Sequence, residues 1–446
     1  MECDIETLRA FLETVGCPSD VAAALDTAAP LAAQAIGPDV RAGLARLLPL
    51  ALGLPAAPAA LVDTGSLEQW RDFAARHLDD DTVRTAAVAR IRATPTGEPP
   101  KDSSLVSTIA LMRPEDAPGA ARLLYLIYDT NYPVVDYYVP EKLIAMSRTK
   151  ALLTLVARLE HGAIAGQIAM YRSSPPNPAL YEQGQLLVDP AYRHTSIAYM
   201  LLKAQEELTQ TMAWAEVFWG EPVCNHLVTQ KGAKRQGYLP CGLELSLMPD
   251  EAYAKEGAPG RVSCLMAFRV VRDRPLPLYV PDCCRPVVEP ILASLPLQRE
   301  MCQAGPPAQA GNVASLGPVT VQTLRVFDQA QVARMQVFAV GQDIRAQVAA
   351  LMDLAARQKL AVVQVYLNAA DPGVVAAVAA LRERGFLFGA FAPLWFVEGD
   401  ALMLQWLAAR PDFEAIRLLT DQAKTILAHI RREWDALAHD PAHDQD

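Results

Sequence analysis

Features that would assign this chain of 446 residues to a membrane, nucleic-acid or secreted class are missing. No segment offers eighteen uninterrupted apolar residues, so no membrane span is predicted. Acidic residues outnumber lysine and arginine by 50 to 40 and no basic cluster occurs, which disfavours a nucleic-acid partner. The chain begins with Glu2, Asp4 and Glu6 rather than a basic stretch, so no secretory leader is predicted. We expect a cytoplasmic protein with no membrane partner.

Paired cysteine motifs are also missing. The eight cysteines include no C-x-x-C pair, and the adjacent Cys283 and Cys284 would point differently along any regular element. This scatter predicts reduced thiols rather than a disulfide framework or a zinc site. No metal is expected.

The most informative segment runs from Gln185 to Ala198. Gln185 to Val188 is a short apolar run, and Asp189-Pro190 closes it with turn-forming residues. The apolar positions then follow the period of an amphipathic helix: Ile197, Met200, Leu201, Ala204 and Leu208. A helix that starts directly after a strand presents unpaired N–H groups, which suit a phosphate or pyrophosphate.

This segment resembles the acyl-CoA pyrophosphate loop of the GCN5-related N-acetyltransferase (GNAT) superfamily. The family pattern is Gln/Arg-x-x-Gly-x-Gly/Ala, and here it reads Arg193-His194-Thr195-Ser196-Ile197-Ala198. Ser196 replaces the first glycine, at some cost in backbone freedom, and is a candidate N-cap. The resemblance implies acetyl-CoA as co-substrate, held by Leu186, Leu187, Val188, the six loop residues and Asn225.

The order of elements resembles a GNAT domain from about Ser107 to Met248, closing at Gly237-Tyr238 in place of the family's Gly-Phe. Turn-rich linkers occupy residues 93–104 and 302–317. We therefore expect an α/β protein with the GNAT fold, a mixed and mostly antiparallel twisted sheet flanked by helices, in tandem. The predicted parts are a small helical domain (1–95), a GNAT domain (105–250), a bridging strand and helix (251–302) and a degenerate GNAT-like domain with a C-terminal helix (317–440).

The tandem arrangement is inferred from an internal repeat. Helix, strand, helix and Gly-aromatic recur in the same order, over 40 positions from Ile197 to Gly237 and 41 from Ile344 to Gly385. The second copy has no counterpart of the Arg193 loop. One acyl-CoA per chain is therefore expected.

Candidate groups for proton transfer are harder to identify. The resemblance implies a Glu base, or a water held by one, and a Tyr acid about four residues before the closing Gly-aromatic, where this chain has Ala233. Glu182, Glu216 and His226 are the candidate catalytic residues, while Tyr192 and Tyr199 are the spare phenols near the loop.

We expect transfer of an acetyl group from acetyl-CoA to an amine of a small molecule or protein by direct attack. A non-catalytic acyl-CoA sensor or interaction module is the alternative, because the usual Tyr is missing, and a purely structural scaffold is a third reading. Acceptor residues are expected in the variable segments 128–138 and 173–181. The helical N-terminal domain is compatible with a regulatory, substrate-covering or dimerising role. A homodimer is therefore one of the expected alternatives for the oligomeric state.

Overall fold

The computed structural model describes residues 1–94, 106–132, 134–250, 260–302 and 316–438. Contacts divide the chain into two compact units, which are described separately. Unit 1 contains Met1–Tyr171 and Gly184–Thr211, and unit 2 contains Arg172–Gln183 and Met212–Asp446.

Unit 1 begins with a helical region in which side chains cap several helix starts. The Asp4 carboxylate accepts a hydrogen bond from the Thr7 N–H at 2.8 Å, and Ser66 and Gln69 form a reciprocal capping box. The helices are α1 (Ile5–Thr14), α2 (Ser19–Ala24), α3 (Pro38–Leu52), α4 (Ala59–Thr64), α5 (Leu67–Ala75) and α6 (Asp80–Ala93). The predicted helical character of this region is therefore seen in the structure.

The remainder of unit 1 is a sheet with helices. Its elements are β1 (Val106–Leu111), α7 (Ala117–Tyr128), α8 (Pro140–Arg148), β2 (Leu152–Leu159), β3 (Ile164–Tyr171), the second part of β4 (Leu180–Val188) and α9 (Ile197–Thr211). β1 to β4 are neighbours in chain order, and β1–β2 and β2–β3 are antiparallel. One hydrophobic core joins buried side chains of the helical region, such as Trp70, to Leu124 and Val156. Most of the predicted first linker lies outside the described residues, and the predicted domain boundaries stay a prediction.

Unit 2 contains the first part of β4 and most of the strands. The strands are β5 (Val217–Gly220), β6 (Leu239–Met248), β7 (Val262–Val270), β8 (Leu276–Tyr279), β9 (Arg299–Cys302), β10 (Val321–Phe327), β11 (Val332–Ala339), β12 (Val362–Asn368), β13 (Leu387–Phe396) and β14 (Gly399–Leu407). The helices are α10 (Val228–Arg235), α11 (Arg285–Ser294), α12 (Ile344–Gln358), α13 (Val374–Arg382) and α14 (Asp421–Ala438). The strand order in the main sheet of this unit is β4-β5-β7-β6-β13-β14-β12-β11-β10.

This strand order repeats itself within unit 2. β4, β5, β7 and β6 are neighbours in the same sequence as β11, β12, β14 and β13, and in each set only the first pair is parallel. Gly237 and Gly385, 148 positions apart, have φ of 80° and 79°. Ser246 and Leu394, at the same separation, both have φ of 50°. Duplication of one unit would produce this pattern, and the tandem arrangement itself stays a prediction.

The two sets meet through β6 and β13, which pair antiparallel at Gly242 and Ala390. A Cβ atom on Gly242 would lie 2.1 Å from the Cβ of Ala390, so only glycine allows the two backbones to approach this closely.

The predicted fold class is confirmed: the protein is a mixed α/β structure with mostly antiparallel strands and flanking helices. The strand bounds differ from the sequence expectation at two places. The sequence predicts Glu182 just upstream of the strand that leads into the loop and Glu216 within a strand over 213–219. In the structure β4 starts at Leu180 and contains Glu182, while β5 starts at Val217, after Glu216. Across the described ranges, no helix combines the length and apolar character needed to span a bilayer.

Candidate functional site

The loop between β4 and α9 in unit 1 is shaped by local hydrogen bonds. The Asp189 carboxylate accepts the Ala191 N–H at 2.9 Å, and Pro190 opens a short 3-10 turn that ends at Tyr192. The Thr195 hydroxyl donates to the Tyr192 carbonyl at 2.6 Å and receives the Ile197 N–H at 3.4 Å. The predicted strand, turn and helix are thus present.

Close packing on β3 positions the start of α9. Ile197 and Leu201 are fully buried, and a Cβ on Gly166 would lie 2.7 Å from Cγ2 of Ile197. The Gln205 side chain also donates to the Ala169 carbonyl at 3.0 Å. The helix start is therefore fixed by residues on its buried face, which leaves the opposite face of the loop open.

The exposed side of this loop offers donors for an anion. Within the described residues, the N–H groups of Ser196, Ala198 and Tyr199 have no hydrogen-bond partner, as expected in a first helical turn. Arg193 is exposed and has no carboxylate partner among the same residues. Unpaired amides, the positive end of the helix dipole and a free guanidinium together fit a pyrophosphate.

The other predicted cofactor contacts of unit 1 differ in accessibility. Leu186 is 39% exposed and Val188 is half-buried, whereas Leu187 is buried in the core. His194 is exposed in the loop. Gln185 has a φ of 55°, a left-handed conformation that marks an irregularity within β4. The assignment of Leu186, Leu187, Val188 and the loop residues to acyl-CoA stays a prediction.

Ser196 does not cap α9 through its side chain. Its hydroxyl contacts the Met200 sulfur at 3.4 Å, and its backbone is outside the left-handed region. The polar group at the helix start is instead Thr195.

We therefore expect Ser196→Gly to bind acetyl-CoA as tightly as the parent or more tightly, because no capping hydrogen bond is lost. Thr195→Ala, which removes the acceptor of the Ile197 N–H, should lower the free energy of unfolding by roughly 0.5 to 2 kcal/mol. Calorimetric dissociation constants and melting curves for both variants check this. A large loss of affinity in Ser196→Gly would show that the hydroxyl contacts the ligand.

Unit 2 contains a buried cluster of carboxylates around one arginine. Arg334 donates to Glu244 Oε1 at 2.9 Å and lies 3.8 Å from Glu221 Oε1. Gln364 and Tyr366 donate to the same Glu244 oxygen at 2.8 and 3.2 Å, while Glu244 Oε2 has no partner within the described residues. This group is called the Arg334 cluster below and consists of Glu182, Glu221, Glu244, Arg334, Gln364 and Tyr366.

Electrostatics make Glu221 distinctive within this cluster. Burial, followed by the neighbouring carboxylates of Glu244 and Glu182, raises the pKa of Glu221 well above its usual range, although Arg334 opposes this. The Glu221 side chain is still 20% exposed, while that of Glu244 is fully buried. A carboxyl group of raised pKa with access to solvent is a stronger base than an ordinary glutamate and can exchange protons with water or a ligand.

The three predicted catalytic residues have different surroundings. Glu182 is buried on β4, where it pairs in register with Trp219, and it contributes to the raised pKa of Glu221. Glu216 forms an ion pair with Arg274 at 2.6 Å. His226 accepts the Val228 N–H through Nδ1 at 3.3 Å, at the start of α10. The ion pair engages the Glu216 carboxylate, whereas Glu182 belongs to the Arg334 cluster, and we therefore consider Glu182 the stronger of the three candidates.

Asn225, the remaining predicted cofactor contact, lies in unit 2. It lines a small cavity of about 40 Å³ with Arg261 and Asp412, and its buried Oδ1 has no partner within the described part of the chain. Ala233 lies on α10, so no phenol occupies that position.

Sequence reasoning missed two residues near Glu182. Glu221 follows β5 directly, and its importance depends on Glu244 and Arg334, which are distant in sequence. Tyr238, in the predicted closing pair, donates its hydroxyl to the Gln183 side chain on β4. The Gly237-Tyr238 pair in the sequence was a visible signal for a phenol at this position.

The helix α12, which corresponds to α9 in the predicted repeat, starts differently. Asp343 is the N-cap residue of α12, and its carboxylate accepts from the N–H and hydroxyl of Thr320, both at 2.7 Å. A Cβ on Gly341 would lie 2.2 Å from the Val319 carbonyl carbon, so the chain itself fills the space beside this turn. An anionic side chain and occupied space both disfavour a phosphate there.

Comparison with known proteins finds solved structures of low overall similarity. No family model and no curated protein matches the chain. Similar solved structures include the ribosomal-protein-S5-alanine acetyltransferase from Vibrio fischeri, with 10% identity, a TM-score of 0.30 and coverage of 36% of this chain and 91% of that one. The ribosomal-protein-S18-alanine N-acetyltransferase from Escherichia coli has 14% identity, a TM-score of 0.29 and coverage of 37% and 94%. An N-acetyltransferase from Staphylococcus aureus Mu50 has 16% identity, a TM-score of 0.30 and coverage of 37% and 98%. The function is therefore argued from the residues of this chain.

Proposed function

We propose that this protein is an N-acetyltransferase that uses acetyl-CoA as co-substrate and an amine as acceptor. The observation that supports it is the start of α9, where unpaired N–H groups at Ser196 and Ala198 lie in the same loop as the unpaired cation of Arg193. This donor set matches a pyrophosphate in charge and in hydrogen-bonding capacity.

Acetyl transfer requires an amine that has lost its proton, and the bound acetyl thioester supplies the acyl group. We propose that Glu182 and Glu221 receive this proton, directly or through water, because Glu221 has a raised pKa and a partly exposed side chain. Arg334 and Glu244 act as positioning residues through their contacts with Glu221 and with each other. Tyr238, whose hydroxyl donates to the Gln183 side chain on β4, is the candidate phenol of unit 2 for a proton-donating role.

The acceptor is proposed to be a primary amine of a small molecule or of a protein. The Arg334 cluster contains three carboxylates and one guanidinium, and an arriving ammonium group would reduce this excess of negative charge.

A non-catalytic acyl-CoA sensor is the second candidate. The presence of Ala233 where the resembling family has a tyrosine favours it. The sensor shares the loop with the enzyme and differs from it in turnover alone.

One titration and one assay test these proposals. Calorimetry with acetyl-CoA measures binding, and thiol release over a panel of small amines and lysine-containing peptides measures transfer. Binding with thiol release supports the enzyme, binding without release supports the sensor, and no binding contradicts both.

We expect that calorimetry will give one acetyl-CoA per chain. The proposed second GNAT-like copy has Asp343 at the start of α12, where a phosphate would meet a carboxylate instead of Arg193. Two equivalent sites would contradict this prediction. Asp343→Asn serves as a further check, because removing the charge should not create a second site while Val319 and Thr320 fill the turn.

A further inference from the structure

A cleft of about 520 Å³ lies entirely within unit 1. Its walls come from α6, α7, the turn between β2 and β3, and the 3-10 turn after β4. Most of the wall is aliphatic and without aromatic rings: Ala87, Ile91, Pro118, Leu123, Leu126, Leu159, Ala163 and Ile164. A cleft of this size can bury most of a small ligand, and its lining suits an alkyl chain.

Two polar groups of the cleft wall have no partner within the described residues. Tyr192 is 3% exposed, and its hydroxyl makes no hydrogen bond. Arg122 is half-buried and forms neither an ion pair nor a hydrogen bond. An unsatisfied buried hydroxyl is costly, and it indicates a missing partner.

The wall contains three further ionisable groups. Arg90 forms a bidentate ion pair with Glu141, at 2.8 and 3.1 Å. The Asp189 carboxylate accepts the Ala191 N–H and keeps its negative charge, which acts on the Tyr192 hydroxyl, and His161 is exposed at the rim of the cleft. Within the described part of the wall, Arg122 is the arginine without an ion pair and Tyr192 contributes the hydroxyl without an acceptor.

We propose that this cleft binds a medium-chain alkyl carboxylate. The alkyl chain lies along the aliphatic wall, and the carboxylate accepts hydrogen bonds from the Arg122 guanidinium and the Tyr192 hydroxyl. Charge complementarity selects a carboxylate over an alcohol or an amine of the same length. Asp189 and Tyr192 belong to the same β4–α9 loop as Arg193, but the cleft uses neither the Arg193 guanidinium nor the N–H groups of Ser196 and Ala198, and the proposal does not depend on acetyl transfer.

The experiment compares octanoate, 1-octanol and octylammonium as probes of the full-length protein by calorimetry. We expect one octanoate per chain, 1-octanol bound roughly tenfold more weakly, and no measurable octylammonium. Equal affinity for the three probes would overturn the proposal, because binding would then be apolar only.

Variants locate the carboxylate. Arg122→Gln should lower the affinity for octanoate roughly tenfold, and Tyr192→Phe should lower it roughly three- to tenfold. The affinity for 1-octanol should stay unchanged in both variants. Arg46→Gln, at an exposed arginine of α3 outside the cleft, and Tyr199→Phe, at an exposed tyrosine of α9, are the matched controls. Melting curves verify that each variant is folded. If both cleft variants bind octanoate as tightly as the parent, octanoate binds elsewhere and the proposal is wrong. The result does not depend on whether the parent protein binds acetyl-CoA, so the two proposals can fail separately.

Discussion

Replacing Arg193 by glutamate is expected to weaken acetyl-CoA binding by about 1.5 to 3 kcal/mol, or roughly ten- to a hundredfold. The substitution removes an exposed, unpaired cation and places an anion beside the N–H groups of Ser196 and Ala198. The buried face of α9 is untouched, so the fold should be preserved. Calorimetric titration gives the dissociation constant directly.

A matched control separates local charge from net charge. Arg76→Glu makes the same change at another exposed arginine of unit 1 that has no partner among the described residues. It should leave the dissociation constant within about twofold, apart from long-range effects that salt screens. If Arg193→Glu binds acetyl-CoA as tightly as the parent, the pyrophosphate is held elsewhere.

The second large effect is expected for the carboxylates of unit 2. Glu182→Gln and Glu221→Gln should each keep acetyl-CoA affinity within a few-fold, and at least one should lower the rate roughly a hundredfold or more. Because the pKa of Glu221 is raised, the parent should lose activity as pH falls through a value above the usual range of glutamate. If Glu221 is the proton acceptor, Glu221→Gln removes this acidic limb from the pH profile.

Comparison variants make this result interpretable. Glu289→Gln changes an exposed carboxylate of α11 and should leave the rate and the pH profile unchanged. Glu216→Gln loses the ion pair with Arg274, and His226→Ala loses the acceptor of the Val228 N–H. Lower thermal stability with an unchanged rate would assign these two a structural role. If acetyl-CoA binds but neither the parent nor any variant releases thiol, the sensor replaces the enzyme.

Local patterns in the sequence were sufficient for the loop and the order of elements. The change of apolar period at Ser196 predicted α9, and Asp189-Pro190 predicted the turn that precedes it. The bounds of the strands were predicted less accurately. Glu182 was expected just upstream of the strand because the predicted run starts only at Gln185, yet β4 begins at Leu180 and includes Glu182.

The Arg334 cluster could not be predicted in the same way. Glu221, Glu244 and Arg334 are spread over more than a hundred positions, and each alone resembles an ordinary surface charge in the sequence. Their proximity depends on the pairing of β5, β7, β6 and the strands beyond them. Long-range strand order decides which charges become buried together, and a single sequence contains no direct signal for it.

The contact between Gly242 and Ala390 has an implication for how such a molecule can arise. The two residues are 148 positions apart, the separation that also relates Gly237 to Gly385, so the predicted repeat makes each the counterpart of the other. In a symmetric dimer of identical halves, this place would hold the same residue twice, and two alanines would collide. A fused chain can place glycine on one strand and alanine on the other. Joining two such halves in one chain therefore allows β6 and β13 to approach more closely than two identical subunits with alanine at this position could.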